Sequence, residues 1–141
     1  MRIMAIDYGD AHTGIAISDP TGLLAGFTTV INAYRPDRVT GQIALLAKEH
    51  RVERLVLGHP INMDGTRGPR SEKAQAMRQL LKETTGLPVV LWDERRTTIE
   101  AHQILMSSGK NAKKRKKVVD AVAASLILEG YLTYLKTHPE G

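Results

Sequence analysis

Short apolar segments alternate with turn residues at the start of the chain, and this pattern predicts three strands. The first is "RIMAID", the second is "GIAIS", and the third is "AGFTTVI", residues 25–31. A tight turn separates the first two, and "DPTGL" precedes the third. Apolar runs of this length, bounded by Gly, Pro and Asp, are typical of β-strands joined by turns. The sequence therefore predicts an antiparallel three-stranded meander.

The middle of the chain alternates between helical and strand patterns. Helices are predicted over about 36–50 and over 71–86, where Gly86 is a plausible C-cap. Continuous apolar runs at 54–58 and 88–92 are typical of buried parallel strands. One face of each helix carries an apolar stripe: Val39, Ile43, Leu46 and Ala47 in the first, and Ala74, Met77, Leu80 and Leu81 in the second.

Two further helices are predicted near the C-terminus. Thr97 and Glu100 have the spacing of a capping box, so a helix is expected to start there and to end at Gly109. The segment "VVDAVAASLILEGYLTYLK" is apolar around most of its circumference, as in a helix that packs deeply against a sheet. The order βββαβαβ followed by two helices predicts one α/β domain over 1–141. We expect a mixed five-stranded sheet, antiparallel at first and then parallel, with helices on both faces.

Positive charge is concentrated in one segment. The net charge is +5, and six of the 20 basic residues lie in "KNAKKRKK", which leaves 14 basic against 15 acidic residues elsewhere. A local basic block favours contact with phosphates, although a solvated flexible loop is the simpler alternative. The predicted nucleic-acid-binding residues are Lys110, Lys113, Lys114, Arg115, Lys116, Lys117, Arg67, Arg70, Arg95 and Arg96.

Composition narrows the cellular setting. The chain has no cysteine, so it has no disulfide and no thiolate metal site, which fits a reducing compartment. The N-terminal "MRIMAIDYG" has no long apolar run and does not resemble a signal peptide. No stretch approaches the roughly 18 apolar residues of a membrane span. We therefore expect a cytoplasmic protein.

Acidic residues stand at three junctions between predicted elements. Asp7 ends the first strand, Asp93 and Glu94 follow the fifth, and Asp120 lies in the first turn predicted for the last helix. Each alone has a simpler explanation: a turn, a strand end, or a favourable interaction with the helix dipole. Together they indicate a site for a hard divalent cation, Mg²⁺ or Mn²⁺, of the kind that assists phosphodiester cleavage.

Four stretches of this sequence resemble the signature motifs of the YqgF/RuvX family: "DYGDAHTGIAISDPTG", "GHPINMDGTRGPRS", "DERRTT" and "KVVDAVAASLILEGYL". The resemblance covers nearly the whole chain. It implies an RNase H-like fold related to the RuvC Holliday-junction resolvases. It also implies a metal-dependent nuclease involved in maturing the 5′ end of pre-16S rRNA. His59 stands where leucine is usual in the family.

The resemblance also implies which residues are catalytic. The acids that match the family are Asp7, one member of the pair Asp93–Glu94, and Asp120. In this fold the first strand is central and the last helix lies beside it, which would bring the three acids together. We favour Glu94 over Asp93 because its side chain is longer. Strand alternation does not separate the two while both faces of the sheet are expected to be covered.

Other functions remain open. The same family features fit a Holliday-junction resolvase acting on branched DNA, or a module that binds nucleic acid with little catalysis. "DYGDAHTG" also resembles the first phosphate loop of the actin and sugar-kinase superfamily, whose members need two such domains. No distinctive dimer patch stands out, so we expect a monomer or a weak homodimer.

Overall fold

The computed structural model describes residues 1–9, 11–20, 25–59, 68–93 and 112–138, with backbone alone at 25 and 112–121. The predicted helix over 97–109 lies outside these ranges. The elements are β1 (Ile3–Asp7), β2 (His12–Ser18), β3 (Ala25–Asn32), α1 (Pro36–Glu49), β4 (Arg54–His59), α2 (Pro69–Thr85), β5 (Val89–Asp93) and α3 (Ala112–Thr137).

The five strands form one mixed sheet in the order β3-β2-β1-β4-β5. β1 is central, antiparallel to β2 and parallel to β4, and β5 extends the parallel half. β2 and β3 complete the antiparallel half. This architecture confirms the predicted fold class.

Helices cover both faces of the sheet. On one side, which we call the α1/α2 face, the buried helix residues are Val39, Ile43, Ala47, Ala74, Met77 and Leu81. On the other side, the α3 face, they are Ala124, Ile127, Leu128, Tyr131 and Leu132. β1 contributes to both, because successive strand residues point to opposite faces. Met4 and Ile6 join the α1/α2 core, whereas Ile3 and Ala5 join the α3 core.

The ends of α2 follow ordinary capping chemistry. The helix begins at Pro69, two residues before Ser71, because proline needs no hydrogen bond in the first turn. Gly86 ends it with a φ of 70°, and its N–H bonds to the carbonyl of Lys82, as a glycine C-cap should. The predicted stripe is wrong at one position: Leu80 is 37% exposed, while Ser71 is buried.

α3 starts earlier than the sequence predicted. Its first residue is Ala112, so the basic segment over 113–117 is helical rather than a loop. Lysine and arginine are good helix formers, and no Gly or Pro interrupts the run. Asp120 therefore lies in the third turn and not the first, and the helix dipole does not explain it. No helix in the described part of the chain is both long and apolar enough to cross a membrane.

Candidate active site at the carboxyl edge of the sheet

Asp7 ends the central strand on the α3 face, two residues after the buried Ala5, and is half-buried. Gly14 is its partner on β2. On β4, Leu57 pairs with Ile6, so Gly58 is level with Asp7. Neither neighbouring strand therefore places a side chain beside the Asp7 carboxylate on this face. The glycines leave room there for a hydrated cation or a phosphate oxygen.

Asp93 lies on the opposite face from Asp7. Along β5, Val90 and Trp92 pack against the α3 core, whereas Leu91 packs against the α1/α2 core. Alternation then places Asp93 on the α1/α2 face, where it is level with His59 of β4. Strand parity gives the face of Asp93 once the position of α3 is known. It removes Asp93 from the face that carries Asp7, and Glu94 lies outside the described residues.

His59 and Ser71 form a buried pair that the sequence did not predict. His59 is the last residue of β4 rather than part of the following loop, and its Nε2 lies 2.6 Å from the Ser71 hydroxyl oxygen. Both side chains are buried. A buried imidazole needs a polar partner, and the first turn of α2 supplies one. The pair joins the chain on either side of segment 60–67. Only the departure from the usual leucine marked His59 in the sequence.

α3 approaches the sheet closely because small residues face it. Ala5 pairs with Ala16 under the helix, and both are fully buried. Farther along the helix, a Cβ added to Gly130 would lie 3.2 Å from Cζ2 of Trp92. Arg54 also donates a 2.8 Å hydrogen bond to the hydroxyl of Tyr131. These contacts tie the C-terminal half of α3 to β4 and β5.

Position 120 lies one helical turn before Ala124, which is fully buried in the α3 core. Residues four apart share a helix face, so the backbone of α3 carries position 120 on the stripe that faces the sheet. The side chain of Asp120 is outside the description. The structure thus places Asp7 on the α3 face and Asp120 on the helix that covers that face.

The predicted cationic residues fall into two groups. Residues 113–117 form the first turns of α3, described by backbone alone, and Arg70 is exposed in the first turn of α2. The others lie outside the described residues: Arg67, Arg95, Arg96 and Lys110.

The donor chemistry at Asp7 suits a hard cation. Its carboxylate oxygens are the ligand type that Mg²⁺ and Mn²⁺ prefer, and the flanking glycines leave space for the waters that Mg²⁺ retains. Among the described side chains, no three His, Cys, Asp or Glu residues cluster as a complete ligand set. Of the acids predicted as metal ligands on the α3 face, Asp7 is the one whose side chain the structure describes.

Comparison with known proteins gives the family and the fold. A protein from Halothermothrix orenii, named "Putative pre-16S rRNA nuclease", is 45% identical over 95% of this chain and 96% of its own length. A protein of the same name from Bacillus subtilis is 43% identical over 96% and 99%. The fold is similar to that of Thermus thermophilus RuvC in complex with a Holliday junction substrate. The TM-score is 0.63 and the identity 16%, over 97% of each chain.

The family model described as "RuvX: Holliday junction resolvase" matches residues 1–134. Together with relatives above 40% identity over almost the full length, this match shows the family. The chain belongs to the RuvX family.

Proposed function

We propose that this protein is a metal-dependent endonuclease that acts in the maturation of the 5′ end of pre-16S rRNA in the cytoplasm. The observation that carries the proposal is the Asp7 carboxylate, held at the end of the central strand between two glycine positions. A carboxylate flanked by a glycine on each neighbouring strand, under a helix that carries a second acid, suits a cation and a phosphate. The names of the relatives support ribosomal RNA as the substrate.

Three acids would hold the cation: Asp7, Glu94 and Asp120. Glu94 is preferred to Asp93 because β5 directs Asp93 to the other face of the sheet. A bound Mg²⁺ or Mn²⁺ would offset the repulsion among the carboxylates and activate a water molecule for attack at phosphorus. Asp7 fixes the site to the central strand of the sheet.

The cationic residues would bind the nucleic-acid backbone. Five lysines and arginines begin α3, the same helix that carries Asp120, and Arg70 is exposed in the first turn of α2. Contacts of this kind position the phosphates without reading the base sequence. We therefore expect recognition by the shape of the RNA, and affinity that falls steeply with salt.

The test is a cleavage assay with wild type, Asp7→Asn and Asp93→Asn. Each is given a labelled pre-16S rRNA 5′ fragment with Mg²⁺, with Mn²⁺ or with EDTA. We expect specific cleavage by the wild type with either cation. In Asp7→Asn the rate should fall to the level measured in EDTA. Asp93→Asn is the matched control: it alters an acid on the other face and should keep most of the activity.

Two results would contradict the proposal. Unchanged metal-dependent cleavage by Asp7→Asn would exclude Asp7 as a ligand. Loss of activity in Asp93→Asn, with activity retained in Glu94→Gln, would reverse the assignment of the second acid. The circular dichroism spectrum of each variant shows whether it is folded.

A Holliday-junction resolvase is the second candidate, favoured by the RuvC-like fold and the description of the family model. The same variants are therefore given a labelled four-way DNA junction. Paired symmetric cuts, with a dimer in analytical ultracentrifugation, would favour the resolvase, because a symmetric substrate calls for two active sites. Tight binding without cleavage of either substrate would favour a binding module. Specific RNA cleavage by a monomer supports the rRNA nuclease.

A further inference from the structure

A surface groove lies on the α1/α2 face, at the same carboxyl edge of the sheet as Asp7. Its volume is about 380 Å³, and its lining includes Tyr8, Tyr34, Lys73, Met77 and Leu80. Tyr34 is 80% exposed and Leu80 is 37% exposed, whereas Met77 is buried. The groove therefore has an apolar base and two tyrosines in its lining.

The groove lies on the opposite face of the sheet from Asp7, and consecutive residues of the chain join the two. Tyr8 directly follows Asp7 in the chain, and strand alternation turns it to the other face, where it packs against the α1/α2 core. The Ala33 N–H donates a 3.2 Å hydrogen bond to the Ala11 carbonyl, which fastens the segment before Tyr34 to the turn after β1. A chain bound at Asp7 and extended around this edge would reach the groove.

The chemistry of the lining fits a nucleotide. Aromatic rings stack on bases whatever the base, and a neighbouring cation binds phosphate. Lys73 is the charged residue of the groove, and no acidic side chain is among the described residues that line it. Arg70 lies one helical turn before Lys73 and extends the positive charge along α2. The positive charge of Lys73 and Arg70 favours a polyanion over a neutral or basic peptide.

We propose that this groove binds an unpaired nucleotide next to the scissile phosphodiester, with its base stacked on Tyr34 and covering Leu80. The inference rests on the proposed nuclease function, which it extends by naming the substrate class: RNA with a single-stranded segment beside the cleavage site. Stacking would add affinity for unpaired flanks that a blunt duplex does not gain.

The experiment is fluorescence anisotropy on the full chain in EDTA, which separates binding from metal-dependent cleavage. The probes are a labelled ten-nucleotide single-stranded RNA and a blunt RNA duplex of the same sequence. Tyr34→Ala removes the ring and Tyr34→Phe keeps it. Phe27→Ala is the matched control, an exposed aromatic at the opposite edge, where its partner Ile17 pairs with Met4.

We expect Tyr34→Ala to weaken binding of the single strand about tenfold, the size of one lost base stack. Binding of the duplex should change less than twofold. Tyr34→Phe and Phe27→Ala should bind the single strand as the wild type does.

Three outcomes would overturn the proposal. These are equal losses for Tyr34→Ala and Phe27→Ala, equal losses on single strand and duplex, or a Tyr34→Phe defect as large as that of Tyr34→Ala. A Tyr34-dependent complex with a protein partner, and not with RNA, would also overturn it. Metal-dependent RNA cleavage by the wild type tests the nuclease function separately. Metal-dependent cleavage with RNA binding that does not depend on Tyr34 would contradict only the groove proposal. Tyr34-dependent RNA binding without cleavage would contradict only the proposed nuclease function.

Discussion

The two faces of the sheet differ in the size of the side chains that the same strands supply. Toward α1 and α2 the strands direct large residues: Met4, Ile6, Ile15, Ile17, Leu55 and Leu57. Toward α3, the middle of β1 and β2 supplies Ala5 and Ala16, beside the larger Ile3 and Val56, and the alternation continues to Gly14 and Asp7 at the carboxyl edge. One face is thus a thick aliphatic core, and the other is a thin contact with a single helix.

Because of this difference, we expect the α1/α2 face to contribute most of the stability and the α3 face to support the proposed chemistry. Most of the large buried aliphatic side chains lie on the α1/α2 face, and burial of apolar surface is the main favourable term in folding. On the α3 face small residues bring the helix close and leave space beside Asp7. Removing volume from the first face should therefore lower mainly stability, and adding volume to the second should lower activity as well as stability.

The largest expected effect is on the thick face. Leu55 is fully buried between Met4 and Val89, in the first half of β4. Leu55→Ala should lower the free energy of unfolding by about 2–5 kcal/mol, from lost transfer energy and a residual cavity. Urea denaturation measures this change. Cleavage per folded molecule should stay near the wild-type value, and a large loss of activity in the folded fraction would contradict the separation of the two faces.

A smaller effect on stability, but a larger one on activity, is expected on the thin face. Ala5→Leu adds volume under α3 and should cost about 1–3 kcal/mol, because the core there has no space. The helix that carries Asp120 would be displaced, so kcat should fall as well. Urea denaturation and the cleavage assay measure the two quantities.

The matched control for Ala5→Leu is Ala74→Leu, which overpacks the buried α1/α2 face. It should cost a similar free energy while kcat per folded molecule is kept. Equal losses of kcat in both variants would show that activity follows general stability, and not the position of α3.

The smallest expected effect concerns the polar contact that holds α3. Tyr131→Phe removes the hydroxyl that accepts the Arg54 hydrogen bond but keeps the ring against Trp92. The free energy of unfolding should fall by about 1 kcal/mol, the usual net value of one hydrogen bond. Tyr34→Phe, which alters an exposed hydroxyl, should leave stability unchanged. If Tyr131→Phe lost as much stability as Leu55→Ala, this single hydrogen bond would be the main anchor of the helix.

Much of the fold follows from the hydrophobic pattern. The five strands and the coverage of both faces were predicted from this pattern and are confirmed. The central place of β1 was implied by the family resemblance and is also confirmed. The start of α3 was predicted six residues too late, because the apolar pattern begins at Val118 while the preceding lysines and arginines are helix formers with no apolar face. Leu80 was assigned to the apolar stripe because its spacing fits, but among the described elements none buries it, and it is 37% exposed.

Less of the candidate site than of the fold could be predicted from the sequence. The face occupied by Asp93 depends on the position of α3 relative to β5, which is a tertiary fact and leaves no local pattern. The bond between His59 and Ser71 joins residues 12 apart through packing alone. The roles of Glu94 and of the side chains of Asp120 and the basic residues stay predictions, because they lie outside the described part of the chain.

The alternation along β5 has a consequence for how this enzyme family can vary in length. A strand has only two phases, and one inserted or deleted residue exchanges them. Such a change between Val89 and Asp93 would turn Trp92 away from Gly130. It would also turn Asp93 toward α3. Changes by two residues would keep the phase. We therefore expect natural insertions and deletions of single residues to avoid β5 and to occur beyond the ends of the strands.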